Sequence, residues 1–277
     1  MSEGAPAGGR DGAAGAGGGP PPPDQKGAHQ ARVYDYLLGG KENYAADREA
    51  GDVVMAAYPD IVHAVRSNRA FLRRVVRYLA GTAGVRQFLD IGTGLPAATN
   101  THEVAQEAAP ESRIVYADND PVVLAHARAL LTSSDEGAAD YIDVDLRDTG
   151  RVLAEAARTL DFSRPVALML LSVLHVIGDD DHPHQLVARL MDAMPPGSYL
   201  ALSHPASDIH AAEGSEAADR LTERGHADVT LRDRDEVARF FDGLDLVEPG
   251  LAQVQLWRPE FGPRRPAAIW AGLARKA

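Results

Sequence analysis

Apolar residues at Ile61, Val65, Leu72, Val76 and Leu79 recur at helical spacing with arginines between them, and Pro59-Asp60 stands ahead of them as a start signal. The pattern predicts helix through much of residues 30–80. From about Arg86 the period changes: short apolar runs at 86–91, 113–117, 141–144, 166–171 and 198–203 read as strands with helical stretches between them. Val166–Leu171 is apolar throughout, as expected of a strand buried on both faces. The helix after the first strand is expected to start near Pro96. Asp120-Pro121 reads as a cap and first-turn proline for the next one, with Leu124, Ala127 and Leu131 facing inward. A further helix carries Leu186, Leu190, Met191 and Met194 and stops at Pro195-Pro196-Gly197. Ile209–Arg224 reads as a polar helical insertion and Arg234–Phe241 as another helix. Leu251–Trp257 and Ala267–Leu273 read as two closing strands, making seven in all. The fold class is α/β: a mostly parallel sheet with helices on both faces and a helical extension before it.

Phe88–Pro96, FLDIGTGLP, joins the first strand to a glycine turn, the position where doubly wound sheets present cofactors. Gly92 and Gly94 fit the relaxed G-x-G-x-x-A fingerprint through Ala97, which on its own serves NAD and S-adenosylmethionine (SAM) alike. Asp118, 24 residues past Gly94 at the end of the second strand, suits ribose hydroxyls in either cofactor. Charge separates the two. Asp90, Asp118, Asp120, Asp143, Asp145 and Asp148 crowd the strand tips, and no Lys or Arg lies between Phe88 and Ser112 to hold a phosphate. SAM brings a sulfonium and an ammonium, NAD two phosphates. A unit charge pair at 4 Å is worth about 4 kcal/mol at an effective dielectric of 20, so the carboxylates favour the cation.

The stretches ARVYDYLLGGKENYAADREA (31–50), FLDIGTGLP, VYADNDPVVLAHARALL (115–131), SVLHVI (172–177), PPGSYLALSH (195–204) and FFDGLDLVEPG (240–250) resemble, in order and spacing, the S-adenosyl methyltransferase family found mainly in actinomycetes. The resemblance covers nearly everything after about Gln30. It implies a Rossmann-like class I methyltransferase fold, SAM as cofactor, and a helical lid over residues 28–84 ahead of a core at 85–277. By the same resemblance Asp90, Gly92, Thr93 and Gly94 bracket the methionine part of SAM, Asp118 holds the ribose and Asn119 lies beside the adenine. Asp145 and Leu146 would follow the adenine edge and face, and Ser172 would stand near the methyl group. Arg69, in the helix before the first strand, suits a bidentate pair with the SAM carboxylate. His175 and His204 follow the fourth and fifth strands and are the candidate general bases. Tyr34, Tyr36 and Tyr44 are candidates for the substrate pocket.

The chain has 277 residues, 45% of them hydrophobic, and a net charge of −12, which speaks against nucleic acid or an anionic membrane as partner. It has no cysteine, which removes disulfides, thiolate catalysis and Cys-ligated zinc, and fits a cytoplasmic location. Residues 1–27 are expected to be a disordered tail, since the first 23 hold eight glycines and five prolines and no apolar run. The His182/His184 pair in GDDDHPHQ (178–185) is read as loop chemistry, with no metal. The leading expectation is methyl transfer to O or N of a small molecule. A non-catalytic SAM-binding module and an NAD(P) oxidoreductase are the alternatives.

Overall fold

In the computed structural model, residues 1, 27–96, 99–130, 132–226, 228–260 and 265–277 are described. The expected tail, apart from its two end residues, and the expected inward position of Leu131 lie outside them. Three helices fill the predicted N-terminal stretch: α1 (Gln30–Leu38), α2 (Ala45–Ala57) and α3 (Ile61–Arg77). On α3 the apolar stripe is buried through Val65, Phe71, Leu72, Val75 and Val76, and the helix runs on into a π-helical turn at Tyr78–Thr82. Gly51 lets α1 and α2 approach, because a Cβ there would collide with the ring of Tyr36.

The strands are β1 (Gln87–Ile91), β2 (Arg113–Asp118), β3 (Ala138–Asp143), β4 (Ala167–Leu171), β5 (Tyr199–Pro205), β6 (Asp245–Leu246), β7 (Ala252–Gln253) and β8 (Ile269–Arg275). They run in the order β3-β2-β1-β4-β5-β8-β6, with β7 also on β8. The first five are parallel; β8 lies antiparallel to β5, and β6 and β7 antiparallel to β8. The described strands number eight where seven are expected. The segment 251–257 yields only the two residues of β7 before a 3-10 turn at Val254–Leu256. There Arg74 of α3 donates to the carbonyls of Val254 and Trp257 at 2.7 and 2.8 Å, drawing the backbone away from a ladder.

The connecting helices are α4 (Thr101–Ala108), α5 (Pro121–Leu130), α6 (Thr149–Ala156), α7 (Pro183–Asp192), α8 (Ala211–Glu223) and α9 (Arg234–Ala238). Helix α4 begins at Thr101, not near Pro96, because Glu103 accepts the N–H of Asn100 at 2.7 Å and so satisfies a donor at the new start. Asp120 does cap α5, accepting from Val122 N at 2.9 Å. The sheet splits the core by strand alternation. Phe88, Ile114, Tyr116, Met169 and Ala201 pack with α3 and Trp257 on one face. Leu89, Val115, Leu168, Leu170 and Leu200 pack with α6, α7 and Phe240 on the other. The inserted helix α8 lies on α2, so the polar insertion joins the N-terminal helices on one side of the molecule.

Candidate functional site

At the tip of β1 the backbone turns through Gly92 (φ 71°) and Gly94 (φ 67°), both left-handed. A Cβ on Gly92 would collide with Val173, just past β4, whereas the same position on Gly94 faces open space. Asp118, at the tip of β2, holds this turn: its Oδ2 accepts from Gly94 N and its Oδ1 from Asp120 N, both at 3.0 Å. Asp90 is buried, and its Oδ2 accepts from Thr101 Oγ1 at 2.6 Å. Burial, with a smaller push from Asp118, raises the Asp90 carboxyl to about 6 despite the Thr101 bond and the nearby Arg69. Burial also raises Asp118, against the two backbone N–H groups it accepts from.

A cavity of about 420 Å³ opens over this turn, lined by Asp90, Gly92, Thr93, Gly94, Asp118 and Asn119, with Arg69 from α3 and Ser172 past β4. Eight of the ten expected cofactor residues therefore meet in one space. Arg69 reaches in from α3 while donating to Thr99 O at 3.0 Å. The remaining two lie elsewhere. Leu146 is buried in the core with Ile142 and Val152, because the chain turns it under the sheet. Asp145 sits on the surface paired with Arg147 at 3.2 Å, though it accepts from Asn119 Nδ2 at 3.3 Å. Arg147 lines the cavity in their place.

A second cavity of about 150 Å³ adjoins the first along a shared wall that includes His29, Gln30, Tyr34, Ser172 and His226. Its other walls come from α1, α2, α3, α8 and the start of β8, and are mostly aliphatic. Of the three expected tyrosines only Tyr34 lines it. Tyr36 points its hydroxyl to Asp52 at 2.8 Å, and Tyr44 precedes α2 with the Arg32 guanidinium 5.4 Å from its ring.

His175 lines the second cavity, its Nε2 against the Gln30 amide and its Nδ1 buried without a partner. His204 lines neither cavity. It is fully buried, its Nδ1 bonded to Pro205 O at 2.8 Å and its Nε2 to the Arg232 guanidinium at 2.9 Å. Both of its nitrogens are thus engaged in holding the wall, which takes it away from the expected place of a base. Burial lowers His175 to about 4 and His204 to about 3, with the Arg232 charge adding to both, so both rings are neutral at pH 7.

Between the cavities stands a polar cluster. Asn68 Nδ2 donates to Tyr34 Oη at 3.1 Å and to Ser172 Oγ at 3.0 Å, and its Oδ1 accepts from Ser203 Oγ at 2.7 Å. Tyr34 donates in turn to Val65 O at 3.1 Å. Ser172 is held at φ 51°, a left-handed conformation that a serine adopts only when its surroundings impose it. Sequence reasoning passed over Asn68, yet a signal was there: it lies three residues after Val65 and four before Leu72, a polar residue inside the apolar stripe of α3. Gln30 and His226 carried no comparable mark.

Helix α1 is tied to the cofactor side by a buried ion cluster. Arg32 Nε pairs with Asp47 of α2 and its Nη1 with Asp120, each at 3.0 Å, and all three side chains are nearly inaccessible. His29 Nδ1 lies 3.0 Å from the same Asp120 oxygen. In the 178–185 segment Asp179 pairs with Arg232, Asp181 with Arg147, and His184 stacks on Phe240. Among the described residues no three His, Asp or Glu side chains gather as a metal site, and no helix is long and apolar enough to cross a membrane.

The comparisons agree with this geometry. A family model described as S-adenosyl methyltransferase matches residues 20–277. The chain is 43% identical to a DUF574 family protein from Streptomyces avermitilis MA-4680, with a TM-score of 0.88 over 92% of this chain and 99% of that one. It is 40% identical to a candidate methyltransferase from Thermobifida fusca YX, with a TM-score of 0.83 over 92% and 98% of the two chains. No curated protein matches it. An acidic cavity at the tips of a β3-β2-β1-β4-β5 sheet, in a chain matched almost end to end, has one reading: this protein belongs to the S-adenosyl methyltransferase family, with a Rossmann-like class I fold and SAM as its cofactor.

Proposed function

We propose that this SAM-dependent methyltransferase methylates an oxygen or nitrogen atom of a small molecule held in the second cavity. The observation that carries the reading is the abutment of the two cavities: a polar, carboxylate-bearing one at the strand tips and an aliphatic one beside it, sharing Tyr34 and Ser172.

The cofactor cavity has the right donor set. Asp90 faces it as a buried carboxylate that a cation would stabilise, Asp118 offers free lone pairs to ribose hydroxyls, and Arg69 suits the carboxylate end. The open space over Gly94 admits a ligand against the backbone. Bound SAM supplies an electrophilic methyl group. The protein's part is to bring the acceptor atom into line and keep water out, which alone accounts for much of a rate enhancement. Tyr34, Asn68 and Ser172 form the wall against which the acceptor is positioned, and His175 is the neutral imidazole available to hold or receive its proton.

Calorimetry with SAM, S-adenosylhomocysteine and NADH tests the cofactor assignment in this chain. We expect SAM and S-adenosylhomocysteine to bind and NADH not to. Replacing Asp90→Ala should remove most of the SAM affinity; undiminished binding would take Asp90 out of the site.

A further inference from the structure

The second cavity, at about 150 Å³, is of a size that admits a compact ring system, and among the described residues that line it there is no Asp, Glu, Lys or Arg. Val33, Val54, Ile61, Leu221 and Ile269 give its walls their character. An ionised ligand placed there would lose its water and meet no counter-charge. Two of the three lining histidines are committed elsewhere. His175 is held neutral by burial, and His29 already faces Asp120. His226 belongs to the wall shared with the cofactor cavity.

Polar capacity is present, but sparse. His175 Nδ1 and His226 Nε2 are both buried ring nitrogens without a partner, and both residues line this cavity. Unsatisfied buried nitrogens of this kind call for a hydrogen-bonding group from outside the protein. Ser172 Oγ accepts from Asn68, while its own proton has, among the described residues, only Ser203 Oγ, 3.5 Å away. These groups suit one or two heteroatoms on a hydrocarbon frame, and Ser172 and His226 sit on the cofactor side of the space.

We infer that the methyl acceptor is an uncharged, largely hydrocarbon molecule that enters this cavity with its nucleophilic heteroatom turned toward the wall of Tyr34 and Ser172. The inference rests on the methyltransferase reading above and adds the acceptor's class. Exclusion of charge is the selective element: an anionic or cationic analogue of the same frame is rejected because its charge would be stranded, not because it is too large.

The test uses three compounds with one skeleton: naphthol, naphthoate and naphthylmethylamine, the last two ionised at pH 7. Each is titrated into the full chain saturated with S-adenosylhomocysteine. Naphthol should bind at least about tenfold more tightly than either ion, the preference expected when a desolvated charge finds no partner. Ala218→Trp and Val229→Trp, at two positions that line this cavity and not the cofactor cavity, should each abolish naphthol binding while S-adenosylhomocysteine still binds. Equal binding of naphthoate or naphthylmethylamine would overturn the inference. So would absence of naphthol binding, or its survival in a filled variant that retains the cofactor product. If the wild-type protein fails to bind S-adenosylhomocysteine at all, the methyltransferase reading falls first. Should a filled variant not fold, the comparison of the three naphthalenes on the wild-type chain still decides the charge rule.

Discussion

Burial places the Asp90 carboxyl near 6, well above its usual range near 4, so at pH 7 the fold carries an ionised group that its surroundings disfavour. The difference amounts to about 3 kcal/mol of stability withheld at neutral pH, at ~1.4 kcal/mol for each pH unit between folded and unfolded values. Asp90→Asn keeps an oxygen for Thr101 and removes the charge. We expect it to raise the melting temperature at pH 7 by several degrees while weakening SAM binding about tenfold or more, a trade in which stability and cofactor grip move in opposite directions. Differential scanning calorimetry and titration calorimetry on the same sample read both. The sequence announced this residue through FLDIGTG, since the acid and the two glycines are adjacent. It did not announce Asn68 as a site residue, because its partners Tyr34, Ser172 and Ser203 lie 34 to 135 positions away. Nor could it separate His175 from His204: both stand near the end of an apolar run, and only the structure shows that His204 lies inside β5 against Arg232 while His175 reaches a cavity beside Gln30.

At the scale of elements, Arg32 is the tie between α1, α2 and the start of α5. Removing one partner of a buried cluster leaves the others desolvated and uncompensated, so Arg32→Ala should destabilise the protein by about 3–5 kcal/mol. Urea unfolding gives the number, and a change within a few tenths would show that the cluster is better solvated than its burial indicates. The existence of α1 to α3 was legible from apolar spacing, as were β1, β2, β4 and β5 from their runs and flanking glycines or prolines. The start of α4 was not, because Pro96 gave a louder signal than the Asn100–Glu103 cap that the helix uses. The segment 251–257 looked like a strand by composition. Its fate was decided by Arg74 taking two of its carbonyls, an interaction across 180 and 183 positions.

Across the whole molecule, the buried ionisable groups oppose one another as pH falls. His175 and His204 titrate near 4 and 3 when folded and near 6.5 when unfolded, so the unfolded chain gains protons first and stability falls as pH drops below about 6.5. Asp90 works the other way: the folded carboxyl takes up its proton near 6, ahead of the unfolded one, and adds stability between about 6 and 4. Asp118, also raised by burial, adds to Asp90, and His102 and His184, also lowered by burial, add to the imidazoles, which outnumber the carboxyls. The urea midpoint should therefore be lower at pH 5 than at pH 7, and His204→Gln, though less stable at pH 7, should lose less on acidification. The parallel sheet and its carboxylate-lined end were legible from the alternation of runs and the acids at their ends. The second cavity was not, because its walls come from helices far apart in sequence whose mutual packing leaves no local trace.

That second cavity is walled mainly by α1, α2, α3 and α8, whereas the turn proposed to hold the cofactor hangs from β1, β2 and β4. Helix α1 borders both spaces, but α2 and α8 border only the proposed acceptor cavity. A substitution on α8 is therefore expected to reshape what is methylated and leave cofactor binding untouched, while one at Gly92 is expected to spoil every reaction at once.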